Sequence, residues 1–422
     1  MANRFFTTLR KDDGSWALIS PDGSEFFSLG VNCVYFPDNL SIDNIQSYGG
    51  GSEWYQRFAD RKLEQIKEYG FNTLAAWHEK YYWGDPTPKT VELSLSRLAA
   101  KVNTDWGVGF PDVFCESFAF SIHRVLCDHF YGQGAVLKDD PALIGYFTDN
   151  ELHWWGQGGH WGMNEPAKGA VQTNLVLDYI ALPATAAGKR KWVSFIEGRY
   201  GTVDRLNEAW NSEYWEFNDL LGVSMYTADT EQYEQDKLDF LRLIADTYYK
   251  TTSELLRQYD PNHLIMGCRL VGASTPEVVL EAMAPYVDVV SLNFYTRYFP
   301  GKWLTKVSEI TGKPVMIGEF SMCAGRQAGY LNSTNGAQNA TVRDQKRRAE
   351  LYAKFVQEAA ELPACVGAHW FALYDYGRDR HGLIGNYGLL QMNDEPWEEF
   401  VEAVTASNRG LNAAPAAAKP IG

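Results

Sequence analysis

The sequence predicts an α/β chain folded as a single (β/α)8 barrel of the TIM type, with an N-terminal β-hairpin and extended loops after strands 4, 7 and 8. Three observations carry that expectation. Eight short apolar segments, each about five to six residues between Gly, Pro or polar breaks, read as strands packed on both faces. Amphipathic segments with apolar residues at three- and four-residue spacing lie between most of them, and such alternation builds a parallel sheet with helical crossovers. The 422 residues, 45% hydrophobic and 22% charged, suit one large barrel with insertions.

In chain order, the turn pairs Asp13-Gly14 and Asp22-Gly23 flank SWALIS and predict a hairpin able to plug the bottom of the barrel. The strands are expected at 27–33, 72–77, 91–96, 143–150, 263–269, 287–293, 314–319 and 365–371. Helices are expected at 53–69, 111–131, 236–258, 275–284, 341–361 and 395–404. Two connections exceed plain barrel loops: 152–235, with LHWWGQGGHWGMNEP and a helical piece WVSFIEGRYGTVDRLNEAWN, and 320–342, rich in Gly, Asn and Ser; the loop 375–390 after the eighth strand is expected beside them at the cleft. All follow strands, where this fold places its functional face. Residues 1–407 are expected to form the one domain and 408–422, with AAPAAAKP, a disordered tail.

A net charge of −15 without a basic run opposes binding to nucleic acid or anionic membranes. No segment has the ~20 apolar residues of a membrane helix, and the first residues lack the apolar core of a signal peptide. The chain therefore reads as cytoplasmic, or as secreted or periplasmic if a leader precedes it. Six scattered cysteines without CxxC spacing read as reduced packing residues. There is no GxxxxGK loop, GxGxxG fingerprint or GxSxG elbow.

Two of the apolar runs end in glutamate: ALIGYFTDNEL reaches Asn150-Glu151, and KPVMIGEFS reaches Glu319. A strand buried on both faces can host a carboxylate only at its end. A surface acid or helix cap would explain either one alone, but a pair at the fourth and seventh strand ends points to chemistry. Glycoside cleavage with retention needs one protonated and one ionised carboxyl about 5 to 5.5 Å apart, with surroundings that separate their pKa values. Asn150 supplies a neutral donor for a sugar hydroxyl, and Arg269, Asn293 and Tyr295 end neighbouring strands where a donor would keep Glu319 charged. Asp149, Glu79 and Asp375 are competing acids.

Aromatic residues make up 14% of the chain, more than a core alone usually needs. Trp154, Trp155 and Trp161 share one Gly-rich loop beyond Glu151 and are expected to stack on sugar rings, while Asn32, His78 and Glu79 are expected to bind hydroxyls. His153 and His160 match no metal-ligand spacing, so neither metal nor cofactor is expected.

The segments FFSLGVN, FNTLAAW, GFPDVF, IGYFTDNEL, RYGTVDRLNEAW, VSLNFY and MIGEFS resemble glycoside hydrolases of clan A, most of all the β-agarases of family 50 and more distantly the β-galactosidases of family 42. The likeness runs from about Phe26 to Trp397. It implies a retaining mechanism with Glu151 as acid/base and Glu319 as nucleophile, Asn150 touching the 2-hydroxyl, Tyr295 supporting the nucleophile, and Trp370 as a floor under the sugar. The implied substrate is a galactose-containing β-linked oligo- or polysaccharide, agarose-type chains foremost. A β-glucan or β-mannan hydrolase of the same clan is the alternative, and a non-catalytic carbohydrate-binding barrel the alternative of another class.

Overall fold

The structure, a computed structural model, describes residues 4–36, 46–103, 109–156, 172–226, 228–324, 340–378 and 384–413. The eight expected barrel strands are all present: Ser28–Val31, Thr73–Leu74, Lys89–Glu92, Leu143–Phe147, a fifth in two pieces (Leu264–Ile265 and Leu270–Val271), Val290–Asn293, Val315–Phe320 and Cys365–Trp370. Each pairs in parallel with the next, and the eighth pairs with the first. The ring closes through the broken fifth strand: Leu264–Ile265 pairs with the fourth strand, and Leu270–Val271 pairs with the sixth. Between the pieces, Met266 donates to the Tyr146 carbonyl at 2.9 Å and accepts from Ser291 N–H at 3.3 Å, so both ladders continue. Gly267 (φ +70°) and Arg269 (φ +51°) bend this stretch out of regular strand geometry.

The third strand ends earlier than the V-E-L-S-L alternation suggests. Ser94 takes a left-handed φ of +50°, which stops the pleat, while Lys89 opens the strand buried in an ion pair with Asp140 at 2.8 Å. The helix Gly301–Thr311 follows the sixth strand, a crossover to which the sequence pattern assigns no range. It buries Trp303, Leu304, Val307 and Thr311 and stops at Gly312 in the left-handed conformation, a common C-terminal signal.

The long connection after the fourth strand contains Asn174–Ala181, Ala187–Tyr200 and Val203–Trp210. The expected single helical piece is split because Gly201 (φ +70°) ends one helix and Thr202 caps the next through Arg205 N–H. Trp192 and Trp210 stack across the two, ring centres 6.1 Å apart. At the other end, the expected tail is corrected: Glu398–Ala413 is one helix, and residues 408–413 belong to it. Asn408 is buried there, accepting from the Tyr352 hydroxyl and donating to the Tyr69 carbonyl.

The hairpin does plug the barrel. Thr7–Arg10 and Trp16–Ile19 pair antiparallel, and Glu25–Phe26 adds a third strand. Phe6 and Leu18 pack with Ile144, Met266, Val289, Met316 and Val366 in one buried cluster that the strands supply from inside the ring. Trp16 N–H donates to the Pro363 carbonyl at 2.7 Å, tying the hairpin to the start of the eighth strand. With apolar side chains filling the lower barrel, polar ones are left to the upper rim.

Candidate active site

The rim is shaped by backbone. Cys33, Trp77, Ser94, Glu151 and Arg269, none of them glycine, have φ between +50° and +60°, and each follows or lies within the end of one of the first five strands. Left-handed backbone is uncommon for residues with a Cβ and concentrates where function demands it. Here it breaks the strand alternation and re-aims each side chain. Glu151 is held in this state by its own N–H, which donates to the Cys268 carbonyl at 3.0 Å. Asp149, two residues earlier, takes a separate set of partners: Ser96 N–H at 2.9 Å, Ser96 hydroxyl at 2.8 Å and Tyr248 hydroxyl at 2.6 Å.

Glu151 and Glu319 meet through one residue. Asn293 is the ladder partner of Glu319 between the sixth and seventh strands, and its Nδ2 donates to Glu151 Oε1 at 2.8 Å. A longer contact of 3.4 Å reaches Asn150 Oδ1. Both carboxyl residues are nearly closed to solvent, Glu151 with 7% of its surface exposed and Glu319 with 3%. Burial pushes the Glu151 carboxyl up, the Glu319 charge pushes it further, and Asn293 and Arg269 oppose, leaving it at about 8. Burial also raises Glu319, but Arg269 and the Tyr295 hydroxyl, which donates to Oε2, pull it back. Burial thus raises both carboxyls, while their direct partners differ: an amide donor for Glu151, a guanidinium and a hydroxyl for Glu319.

Arg269 links Glu319 to the floor. Its Nη2 lies 3.1 Å from Glu319 Oε1 and donates to Asn32 Oδ1 at 3.0 Å and to the Gly318 carbonyl at 2.7 Å. Asn32 is fully buried and spends its Nδ2 on the Gly318 and Trp370 carbonyls, at 3.0 and 3.1 Å. It therefore braces the arginine rather than reaching a substrate hydroxyl. Gly318 must lack a side chain, because a Cβ there would stand 2.8 Å from Asn293 Oδ1 and 3.0 Å from Arg269 Nε.

Of the expected site residues, Glu151, Glu319, Asn150, Asn293, Tyr295 and Arg269 converge. The others need correction. Trp370 has no exposed surface: its ring packs against Phe320, Tyr352 and Phe400, and its Nε1–H donates to the Tyr387 carbonyl, so it offers no face to a sugar. Trp154 is equally closed, stacked on Tyr249 at 5.5 Å, and Trp155 is buried against His153. His78 uses both ring nitrogens, one with the Ala75 carbonyl at 2.7 Å and one accepting from Trp83 Nε1–H at 3.2 Å. Burial lowers its pKa to about 4. Glu79 accepts from Phe36 N–H at 2.9 Å and from the Tyr55 hydroxyl, fastening the first strand's loop. Asp375 holds Gly388 N–H and the Trp397 indole N–H. Trp161 and His160 lie outside the described residues.

Three rim residues escaped the sequence reading. Half-buried Phe371, one residue past Trp370, stands edge-on to Tyr295 at 6.2 Å and to Trp77 at 6.5 Å. Trp77 closes the second strand's end, one residue before the pair expected to bind hydroxyls. Glu92 was placed inside the third strand, whereas that strand stops at it, so the carboxylate reaches the rim. Burial and Asp149 raise the Glu92 pKa to about 7.

A parallel barrel that buries a pair of glutamates, joined through one asparagine, at the ends of its fourth and seventh strands is of the glycoside hydrolase type. Residues 133–413 match the family described as Glyco_hydro_42: Beta-galactosidase, and the chain belongs to that family. It is similar to Beta-agarase B of Vibrio sp. (strain JT0107), 25% identical over 481 residues, covering 96% of this chain and 48% of the relative. Beta-agarase A of the same organism is 27% identical, covering 96% of this chain and 46% of the relative. The chain spans about half the length of these curated relatives. Among solved structures, an agarase, AgWH50C, superimposes with a TM-score of 0.82 at 20% identity over 97% of this chain and 65% of that one. An exo-beta-agarase does so with 0.83 at 21% identity over 98% and 66%. These two structures bear on the fold alone.

Proposed function

We propose that the chain is a retaining β-glycoside hydrolase acting on galactose-containing, β-linked oligo- and polysaccharides of the agarose type. The observation that carries the reading is the Asn293-bridged pair of buried carboxyls whose surroundings set them apart. The agarase names of the long relatives support the sugar.

In the first displacement Glu319, ionised against Arg269 and Tyr295, attacks the anomeric carbon while Glu151 gives its proton to the leaving oxygen. Breakage of the glycosidic bond leaves a galactosyl ester on Glu319. In the second, Glu151, now a carboxylate, takes a proton from water, which displaces Glu319 and returns the sugar with its original configuration. Asn293 helps at both stages: its N–H stabilises the charged form of Glu151 that exists between the two displacements. Asn150, half-buried beside it, donates to the hydroxyl next to the reacting carbon.

The test is a screen of the purified protein on agarose, porphyran, galactan, β-glucan and mannan, with chromatography of the products. Agarose-type or galactan fragments are expected, and Glu319→Gln should lose turnover by several powers of ten while oligosaccharide binding persists. Cleavage of glucan or mannan alone would move the substrate and keep the mechanism. Binding without turnover, indifferent to Glu319, would make the barrel a carbohydrate-binding protein.

A further inference from the structure

We infer that Trp77 is a positioning residue for the Arg269 cation: tethered by Glu92, the indole lies against the guanidinium and keeps it beside Glu319. Arg269 is fully buried, yet among the described residues only its Nη2 has hydrogen-bond acceptors, and Nε and Nη1 have none. A buried cation with two idle nitrogens is poorly held by hydrogen bonds alone. Two rings supply what is missing. The centre of Trp77 lies 4.5 Å from Arg269 Cζ and that of Phe147 lies 4.9 Å away, both within reach of cation–π attraction.

The two rings are not equivalent. Phe147 belongs to the fourth strand, whereas Trp77 follows the second in a left-handed φ of +58°, which a bulky residue keeps only when its surroundings over-determine it. Glu92 supplies that restraint: its Oε2 accepts from Trp77 Nε1–H at 3.3 Å. Glu92 is itself pinned by Ser94, whose N–H donates to Oε1 at 2.6 Å and whose hydroxyl touches both oxygens. A continuous chain therefore runs Ser94, Glu92, Trp77, Arg269, Glu319 across the ends of the third, second, fifth and seventh strands.

Glu319 is faced by Arg269, Tyr295, Glu151 and Cys33. Arg269 is faced by Glu319, Glu151, Glu92, Cys33 and His369, and Glu92 by Asp149 and Arg269. Arg269 is the one cation among these described groups. If Trp77 is removed, the guanidinium is free to leave, and Glu319 takes up a proton at higher pH.

The consequence for turnover rests on the function proposed above, but the placement is testable without substrate. In Glu151→Gln protein, which removes the carboxyl that faces Glu319, Glu319 is followed by 13C NMR of labelled glutamate and assigned by its loss in Glu319→Gln. Trp77→Ala should raise the midpoint by about one unit, as Arg269→Met should, while Trp77→Phe, which keeps a ring over the cation but loses the Glu92 tether, should fall between wild type and Trp77→Ala. Combining Trp77→Ala with Arg269→Met should add nothing to Arg269→Met alone. Trp77→Leu serves if the alanine variant does not fold. An unmoved midpoint in the alanine or leucine variant, or an additive shift in the double variant, overturns the inference. So does an active Trp77→Ala enzyme with a raised KM and an unchanged acid limb of kcat/KM, which would make Trp77 a sugar contact. A wild-type protein that cuts no glycan while the titration behaves as expected removes the proposed function and leaves the role of Trp77 standing.

Discussion

At the scale of single residues, the site is governed by where charge is tolerated. Glu151 ionises at about 8 in the fold, against roughly 4.3 for a free glutamate. Below the unfolded value both states are protonated and the side chain costs nothing. As pH rises toward 8 the folded protein must keep a proton that the unfolded chain releases, and stability falls. Glu151→Gln is therefore expected to stabilise the fold at pH 7 to 8 by on the order of 1–3 kcal/mol, read as a higher melting temperature, and to leave stability unchanged at pH 4. Equal gains at both pH values would show that the carboxyl is not the strained group. In turnover, the alkaline limb of kcat/KM should lie near pH 8, where Glu151 loses its proton. Asn293→Ala deletes the donor to the charged form, so the limb should move upward, and a downward movement would contradict the geometry.

At the scale of elements, each strand end solves a spatial problem. The seventh strand uses Gly318 to make room for the side chains of Asn293 and Arg269, which approach its Cα from the sixth and fifth strands. Gly318→Ala should displace both and lower kcat on the order of 10²-fold with little loss of fold, as measured by steady-state kinetics beside a thermal melt. The eighth strand does the opposite with its last residue. Trp370 points away from the rim into helix packing, with Arg348 4.1 Å from the Phe400 ring and 5.2 Å from its own. Trp370→Ala should cost about 3–5 kcal/mol in urea unfolding, the usual loss for a buried large aromatic, and leave KM for surviving enzyme unaltered. A raised KM at full stability would return Trp370 to the cleft.

At the scale of the whole molecule, the barrel is a two-storey container. The hairpin fills the lower storey with Phe6 and Leu18 against side chains of the fourth to eighth strands, and the upper storey carries the polar rim. The hairpin cluster includes Phe147 and packs against Trp77, the two rings on Arg269, but holds none of Glu151, Glu319, Asn293 or Arg269, so its loss should fall on stability first. Leu18→Ala is expected to destabilise the fold by about 2–5 kcal/mol without moving kcat/KM at temperatures where the protein stays folded. If activity fell in proportion, the plug would be shaping the site through the strands.

Much of this was legible in the chain itself. Apolar runs of five residues ending in glutamate are local patterns, and so are helix periodicity and the Asp-Gly turns, which is why all eight strands, the hairpin and the pair Glu151 and Glu319 are readable in the sequence. Tyr295, Asn293 and Arg269 could be named because they end strands. The aromatic residues could not be sorted the same way: Trp154, Trp155 and Trp370 were expected in the cleft and lie in packed interior, while Trp77, Phe371 and Glu92 were overlooked at the rim. The difference turns on half-turns of backbone. Left-handed conformations at Cys33, Trp77, Ser94, Glu151 and Arg269 redirect side chains against strand alternation. They are held by contacts between residues far apart in sequence, such as Trp77 with Arg269, or Glu151 N–H with the Cys268 carbonyl. Sequence alone determined which strands would carry the acids, because burial of a short apolar run is a property of the run. Tertiary structure alone decided which rings stand at the rim and which partners each carboxyl meets, because both depend on what other strands bring within a few ångströms.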